Sequence, residues 1–254
     1  MKKLKITILL AAILMVFPLT TNAQEESKNQ AYVFHTDPVH LSNLSEYENV
    51  AKNLVEECNK HKAKSGWAAF KMNGSNYVYV SPIKNMAELD KNSFSDLQEK
   101  MGNEAFGKLF EKFNQHYDSH SDYVMILDKD LSYMPSGINI TPEGLNYRYN
   151  TLYYVAPKNY GKAVQIAKEF KKLYTEKGSK EYYRVYHSGF GTAGNYLMVA
   201  RAAKNAAEFE ASRDENNNLI GEDGSELYKK LLALLLKTEI MTGYMMPELS
   251  YFPN

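Results

Sequence analysis

Residues 130–137 read "DLSYMPSG" and residues 248–254 read "ELSYFPN". Leu131-Ser132-Tyr133 therefore recurs as Leu249-Ser250-Tyr251, at an offset of 118. Working outward, "NYVYV" at 76–80 answers "NYLMV" at 195–199, an offset of 119, and "KNMAEL" at 84–89 answers "KNAAEF" at 204–209, an offset of 120. Upstream, Val50, Ala51, Leu54, Val55 and Cys58 form one apolar helical stripe, and Ile166, Ala167, Phe170 and Tyr174 form another at an offset of 116. Order is kept throughout and the offsets drift by a few residues, as loop insertions produce. The pattern reads as an internal duplication.

Each copy reads the same way. "AYVFHT" (31–36) is rich in β-branched and aromatic residues, hence a strand. Ser45 then precedes a helical pattern to about Lys62. "GWAAFKM" (66–72) and "SNYVYVS" (75–81) flank Asn73-Gly74, a pair suited to the positive φ angles of a tight hairpin, and Pro82 is expected to end the second strand. A helix over 93–118 and a strand through "DYVMILDKDLSYMP" complete the half. The second copy supplies a strand at 146–156, a helix at 158–176, strands near 181–188 and 195–201, a helix near 225–238 and a last strand at 239–252. The fold expected is α+β: two tandem ferredoxin-like βαββαβ repeats, 30–135 and 146–254, joined by the Pro- and Gly-containing linker 136–145. An open four-stranded sheet of this kind carries helices on one face only. The two bare faces are expected to pack sheet to sheet, as an intrachain dimeric α/β barrel.

Lys2, Lys3 and Lys5 precede the apolar run Ile6 to Leu19, and Thr21-Asn22-Ala23 offers small residues for cleavage; residues 1–23 read as a secretory signal peptide, and the mature chain as secreted or periplasmic. Lys+Arg and Asp+Glu both number 30, so loss of the three leader lysines leaves a slightly acidic protein. That balance argues against nucleic acid and against membrane binding after signal removal. Cys58 is the only cysteine, which excludes an internal disulfide. Its place on an apolar stripe marks it as buried and inert.

This element order and duplication resemble the dimeric α/β-barrel superfamily, which includes the antibiotic-biosynthesis monooxygenases and the NIPSNAP proteins. The resemblance spans nearly all of residues 30–254 without a member-specific motif. It implies a shared interior between two sheets and, for some relatives, haem binding or degradation.

Strand alternation extends the reading. Val78 and Val80, aligned with Leu197 and Val199, are expected beneath the helices. Tyr77, Tyr79, Tyr196 and Met198 would then face the interior, with Trp67 aligned to Tyr183 and Lys71 to His187. The candidate ligand-binding set is Trp67, Tyr77, Tyr79, Tyr183, His187, Tyr196 and His35, either lining a pocket for a small apolar or aromatic molecule or filling a core. His116 and His120 stand four apart, but Tyr117 occupies the place of a zincin glutamate, and they read as a polar helix end. "DENNNLIGEDGSE" (214–226) begins like a calcium loop but has Leu219 at the required glycine and Ser225 at the required glutamate, so it reads as a surface loop. No catalytic constellation, metal site or cofactor emerges from the residues. The expectation is an exported, non-catalytic small-molecule binder, monomeric with pseudo-dimeric halves or a homodimer. The alternative, carried by the resemblance, is a cofactor-independent monooxygenase or haem-handling enzyme that orients its substrate with Trp67, His35 and His187.

Overall fold

The computed structural model describes residues 29–253, so the leader lies outside the described residues. The first half runs β1 (Asn29–Pro38), α1 (Leu44–His61), β2 (Ala68–Met72), β3 (Asn76–Ile83), α2 (Ser95–Met101), α3 (Asn103–Phe113) and β4 (Ser121–Tyr133). The second runs β5 (Tyr147–Val155), α4 (Tyr160–Lys177), β6 (Tyr183–Ser188), β7 (Tyr196–Ala203), α5 (Ala206–Leu232) and β8 (Leu235–Met245). All eight strands close into one antiparallel barrel in the order β1-β3-β2-β8-β5-β7-β6-β4. Within it each half keeps the same internal order, β4-β1-β3-β2 and β8-β5-β7-β6. The halves therefore meet edge to edge through β2–β8 and β4–β6, and the expected face-to-face stacking becomes the barrel's own closure. Closure leaves no unpaired edge, which stacked open sheets would have kept.

The repeated Leu-Ser-Tyr motif makes this closure. Tyr133 pairs with Tyr183, and Tyr251 bridges Trp67, so each motif binds the second strand of the opposite half. Ser132 Oγ donates to the Asp128 carbonyl (2.6 Å) and accepts from the Val185 N–H (2.9 Å). Ser250 Oγ does the same with the Met246 carbonyl and the Ala69 N–H, both at 2.9 Å. The Tyr133 hydroxyl donates to the Ser179 carbonyl and the Tyr251 hydroxyl to the Ala63 carbonyl, each just beyond a helix of the other half. Leu131 and Leu249 are both fully buried. The serines satisfy buried N–H groups where the strand ladder breaks, at a register shift between Asp128 and Tyr133 in one seam and after a 3₁₀ turn over Pro247–Leu249 in the other.

Several boundaries differ from the sequence reading. The helix expected over 93–118 is two helices broken at Gly102, whose φ is 83°. β3 continues past Pro82 to Ile83, with Pro82 opposite Tyr32. The Asn73-Gly74 turn forms with φ of 48° and 85°. The last strand ends at Met245, so the second Leu-Ser-Tyr lies beyond it. Residues 214–226 are helical within α5, which kinks at Gly221 (φ 53°, ψ −134°). Phe209, Ile220 and Leu231 are buried along α5, and Asn216 ties it to Tyr174 of α4 and to Ser179, outweighing a local composition that favours loops. The connection 136–145 folds over the barrel: Ile138 and Ile140 pack on the interior cluster, while the Asn139 and Ile140 carbonyls accept from Arg184 and Arg148. Among the described residues no helix is long and apolar enough to cross a membrane.

Candidate functional site

The phase of β3 decides what lines the barrel. Val78 pairs with Phe70 and Met198 with Tyr186, and all four lie in the interior cluster with Val80, Ala200 and Met125. Corresponding residues of β3 and β7 are thus 120 apart, whereas those of β2 and β6 are 116 apart; the second hairpin loop is longer by the difference. Matching "NYVYV" to "NYLMV" at 119 slips the register by one, and a one-residue slip turns every side chain to the other face. Tyr77 and Tyr79, expected inside, pack with Trp67 beneath α1–α3. Val78 and Val80, expected beneath the helices, are inside. Tyr183 lies beneath α4 and α5 with Leu197 and Val199. Tyr196 and Met198, also expected inside, do lie in the barrel, with the Tyr196 hydroxyl 3.4 Å from Met125 Sδ.

His35 and His187 also stand outside the barrel. His35 Nδ1 lies 2.9 Å from Asp122 and Nε2 lies 3.0 Å from Asp37. Burial opposes the charge on His35, but Asp37 and then Asp122 more than offset it and raise its pKa to about 9. His187 is held between Asp128 (2.8 Å) and the Tyr160 hydroxyl (2.6 Å). Trp67 Nε1 donates to the Leu249 carbonyl, so its polar edge is committed to the seam. Cys58 is fully buried, and burial, with Asp96 and Glu57 nearby, pushes its thiol up to about 12.

The barrel interior is nearly filled, with a cavity of about 50 Å³ beside Phe34, Phe70, Tyr123, Arg148, Arg184 and Met198. The two arginines were not anticipated. Both are buried, and their guanidinium groups hold the carbonyls of the overlying connection. Burial and the like charge of Arg184 lower the Arg148 pKa to about 9.

The larger space is elsewhere. Between the outer face of β5–β8 and the helices α4 and α5 lies a cleft of about 550 Å³. Tyr149, Tyr153, Phe170, Tyr174 and Tyr228 supply ring walls; Ala163, Ala167, Gly221 and Gly224 leave the room. Its floor carries Glu181, Tyr183 and Arg201. Arg201 Nε lies 2.6 Å from Glu181 Oε1, yet the approach is not aligned as a hydrogen bond. Glu181 Oε2, the Tyr183 hydroxyl and Arg201 Nε are all buried without a hydrogen-bond partner. Two polar atoms without a partner, Glu181 Oε2 and the Tyr183 hydroxyl, beside the Glu181–Arg201 ion pair suit a bound polar group or water that matches them, since each unpaired buried group costs about 1–3 kcal/mol. Burial resists the charge on Arg201, but Glu181 raises its pKa and keeps it a cation. Burial lifts the Tyr174 phenol to about 12 and the Tyr183 phenol well above its ordinary value, so both are neutral hydroxyls. The signal for this site was the charged residue set among apolar neighbours in "MVARAA", since a guanidinium on a buried strand face needs a partner, here Glu181.

Known structures share this architecture. An anthrone oxidase-like protein superposes with a TM-score of 0.55 at 15% identity, covering 87% of this chain and 92% of its own. A protein from Lactobacillus acidophilus NCFM, provisionally described as a monooxygenase, gives 0.54 at 8% identity, covering 89% and 97%. A point mutant of chlorite dismutase from Candidatus Nitrospira defluvii gives 0.51 at 12% identity, covering 89% and 94%. No family model matches the chain, and no curated protein matches it by sequence. The fold these structures share is the closed eight-stranded antiparallel barrel with helices packed outside it, formed here within one chain.

Proposed function

We propose that the protein is an enzyme of the dimeric α/β-barrel type that takes a flat, largely apolar substrate bearing a phenolic or carbonyl oxygen into the cleft beneath α4 and α5. The observation that carries this reading is the pair of polar atoms without a partner, Glu181 Oε2 and Tyr183 Oη, beside the Glu181–Arg201 ion pair on the floor of a ring-walled cleft. The neighbours described as oxidase-like or monooxygenase support a reaction with dioxygen. In that reaction Glu181 takes a proton from the substrate, Arg201 and the Tyr183 hydroxyl hold the resulting oxyanion, and the electron-rich anion reduces dioxygen. One oxygen atom enters the substrate as a carbonyl and the other leaves as water, with both hydrogens drawn from the oxidised carbon. Removing water from the anion's surroundings strengthens each of these contacts.

Haem, which the superfamily resemblance raises, does not suit this cleft. No histidine, cysteine or methionine lines it, and its buried tyrosines are held as neutral phenols. No step here is routed through haem. Oxygen uptake with anthrone, a flat tricyclic ketone, tests the proposal. Saturable uptake is expected, falling at least about 100-fold in Glu181→Gln, in line with loss of a general base. Absence of both binding and uptake, or a Soret band on haem titration that tracks activity, would overturn it.

Two further readings belong to the proposal. The matched strand orders and seams support residues 30–135 and 146–254 as tandem copies of one ferredoxin-like unit. The leader sequence supports export with cleavage after residue 23, which N-terminal sequencing of the mature protein would check.

A further inference from the structure

We infer that the first half carries a divalent-metal site formed by His35, Asp37 and His120, separate from the cleft of the second half. The sheet register assembles it. In β1, His35 stands opposite Tyr79 of β3 on one side and Asp122 of β4 on the other. Asp37 is two residues further along β1, on the same face, and His120 immediately precedes β4. One ligand atom from each of His35, Asp37 and His120 falls within 4.8 Å of the other two.

Three details distinguish this group from a chance encounter of charges. Asp37 is only 3% exposed, and its Oδ1 has no hydrogen-bond partner. That atom faces His35 Nε2 at 3.0 Å, without the alignment of a hydrogen bond. Donor atoms set side by side in this way suit an ion that both can reach, since zinc–nitrogen and zinc–oxygen distances are about 2.0–2.2 Å. The supporting contacts are also those of a metal centre. Asp122 Oδ1 sits 2.9 Å from His35 Nδ1, the carboxylate–histidine pairing that fixes a ligand's tautomer and orientation. The Tyr47 hydroxyl donates to Asp37 Oδ2 at 2.6 Å and lies 2.9 Å from the Tyr79 hydroxyl, which turns Oδ1 towards His35. Finally, His120 is exposed and the His35 side chain is 33% exposed, so an ion can enter from solvent.

Two imidazoles and one carboxylate select a first-row transition metal over calcium or magnesium, which prefer all-oxygen sets, and three protein ligands leave open coordination positions. The spacing of His116 and His120 in the sequence suggested a pair; the fold instead joins His120 to β1, and the ligands come from opposite ends of the first half.

The test uses the full mature chain, stripped with EDTA and dialysed, then titrated with cobalt(II) by visible absorption and with zinc(II) by calorimetry. One equivalent per chain is expected. His120→Ala alters an exposed side chain, so the metal-free melting temperature should stay unchanged while zinc affinity falls at least about 100-fold. Asp122→Asn, which removes no ligand atom, should weaken zinc about 10- to 100-fold while preserving the cobalt band pattern. Absence of saturable uptake by the wild-type chain, or zinc affinity left at the wild-type level in both His120→Ala and His35→Ala, would overturn the site. Anthrone oxidation needs none of these residues, so the two proposals can fail separately.

Discussion

The helices α1 and α4 are each 18 residues long and start 116 residues apart, so they can be compared position by position. At one position α1 places Tyr47, fully buried against Tyr77 and Phe113; α4 places Ala163. Beyond Tyr47 the first half adds a packed run of rings, Phe94, Phe106, Phe110 and Phe113, from α3 and the turn before α2. The corresponding space in the second half is covered by the kinked α5, with Gly221 and Gly224 in its wall, and stays open. One framework thus carries a filled half and a hollow half. The sheet does not decide which is which; side-chain volume on the covering helices does.

Exchanging these residues is the sharpest way to break the comparison. Tyr47→Ala should cost about 3–5 kcal/mol, the range for removing a large buried ring. Chemical denaturation should show the loss as a lower midpoint with little change in slope. Ala163→Tyr should do the opposite in the other half, closing the cleft and abolishing anthrone binding with the melting temperature kept or raised. Retained binding in Ala163→Tyr would place the ligand elsewhere.

The order of elements was legible because it rests on periodicity and on turn residues such as Asn73-Gly74. The phase of β3 was not. "NYVYV" and "NYLMV" share letters at an offset that the hairpin insertion makes false, while "KNMAEL" and "KNAAEF", just past the strands, carried the true one. The long α5 was hidden because Asn, Asp and Gly over 214–226 favour loops; its hold comes from tertiary contacts, including Asn216 bonded to the Tyr174 hydroxyl and to Ser179 Oγ. The cleft was hidden for a related reason. A hollow is written in small residues, and Ala163, Ala167 and Gly224 look like ordinary helix content until the facing element is known.

The seams offer a second comparison, with a smaller effect. Ser132→Ala strands the Val185 N–H, and Ser250→Ala strands the Ala69 N–H, both in buried backbone. Each should cost about 1–3 kcal/mol, read as a fall of about 2–4 °C in Tm per kcal/mol for a chain of this size. Matching losses would sharpen the equivalence of the two closures. A loss confined to one would show that the 3₁₀ turn before Ser250 and the register shift before Ser132 carry different loads.

Gly221 tests the hollow half alone. Its φ of 53° with ψ of −134° is a conformation that other residues adopt only under strain, and a Cβ there would meet nothing within 4 Å. Gly221→Ala should therefore act through the backbone, costing about 1–2 kcal/mol. A straightened α5 would lower the cleft's wall, so weaker anthrone binding should accompany the loss, measurable by calorimetry.

The smallest effect separates burial from reactivity. Cys58 and Tyr174 occupy corresponding positions of α1 and α4, and only the second reaches a cleft. With its thiol pushed up to about 12 by burial, Cys58 holds almost no thiolate at pH 8. Iodoacetamide should leave the native protein unmodified over hours and label it fully in guanidinium chloride, as intact mass would show. Because the thiolate is the reacting species, raising the pH to 9 should not unlock the native thiol. Labelling of native protein at pH 8 would mean that the filled half opens locally beneath α1, and the contrast between the halves would then be one of motion as well as volume.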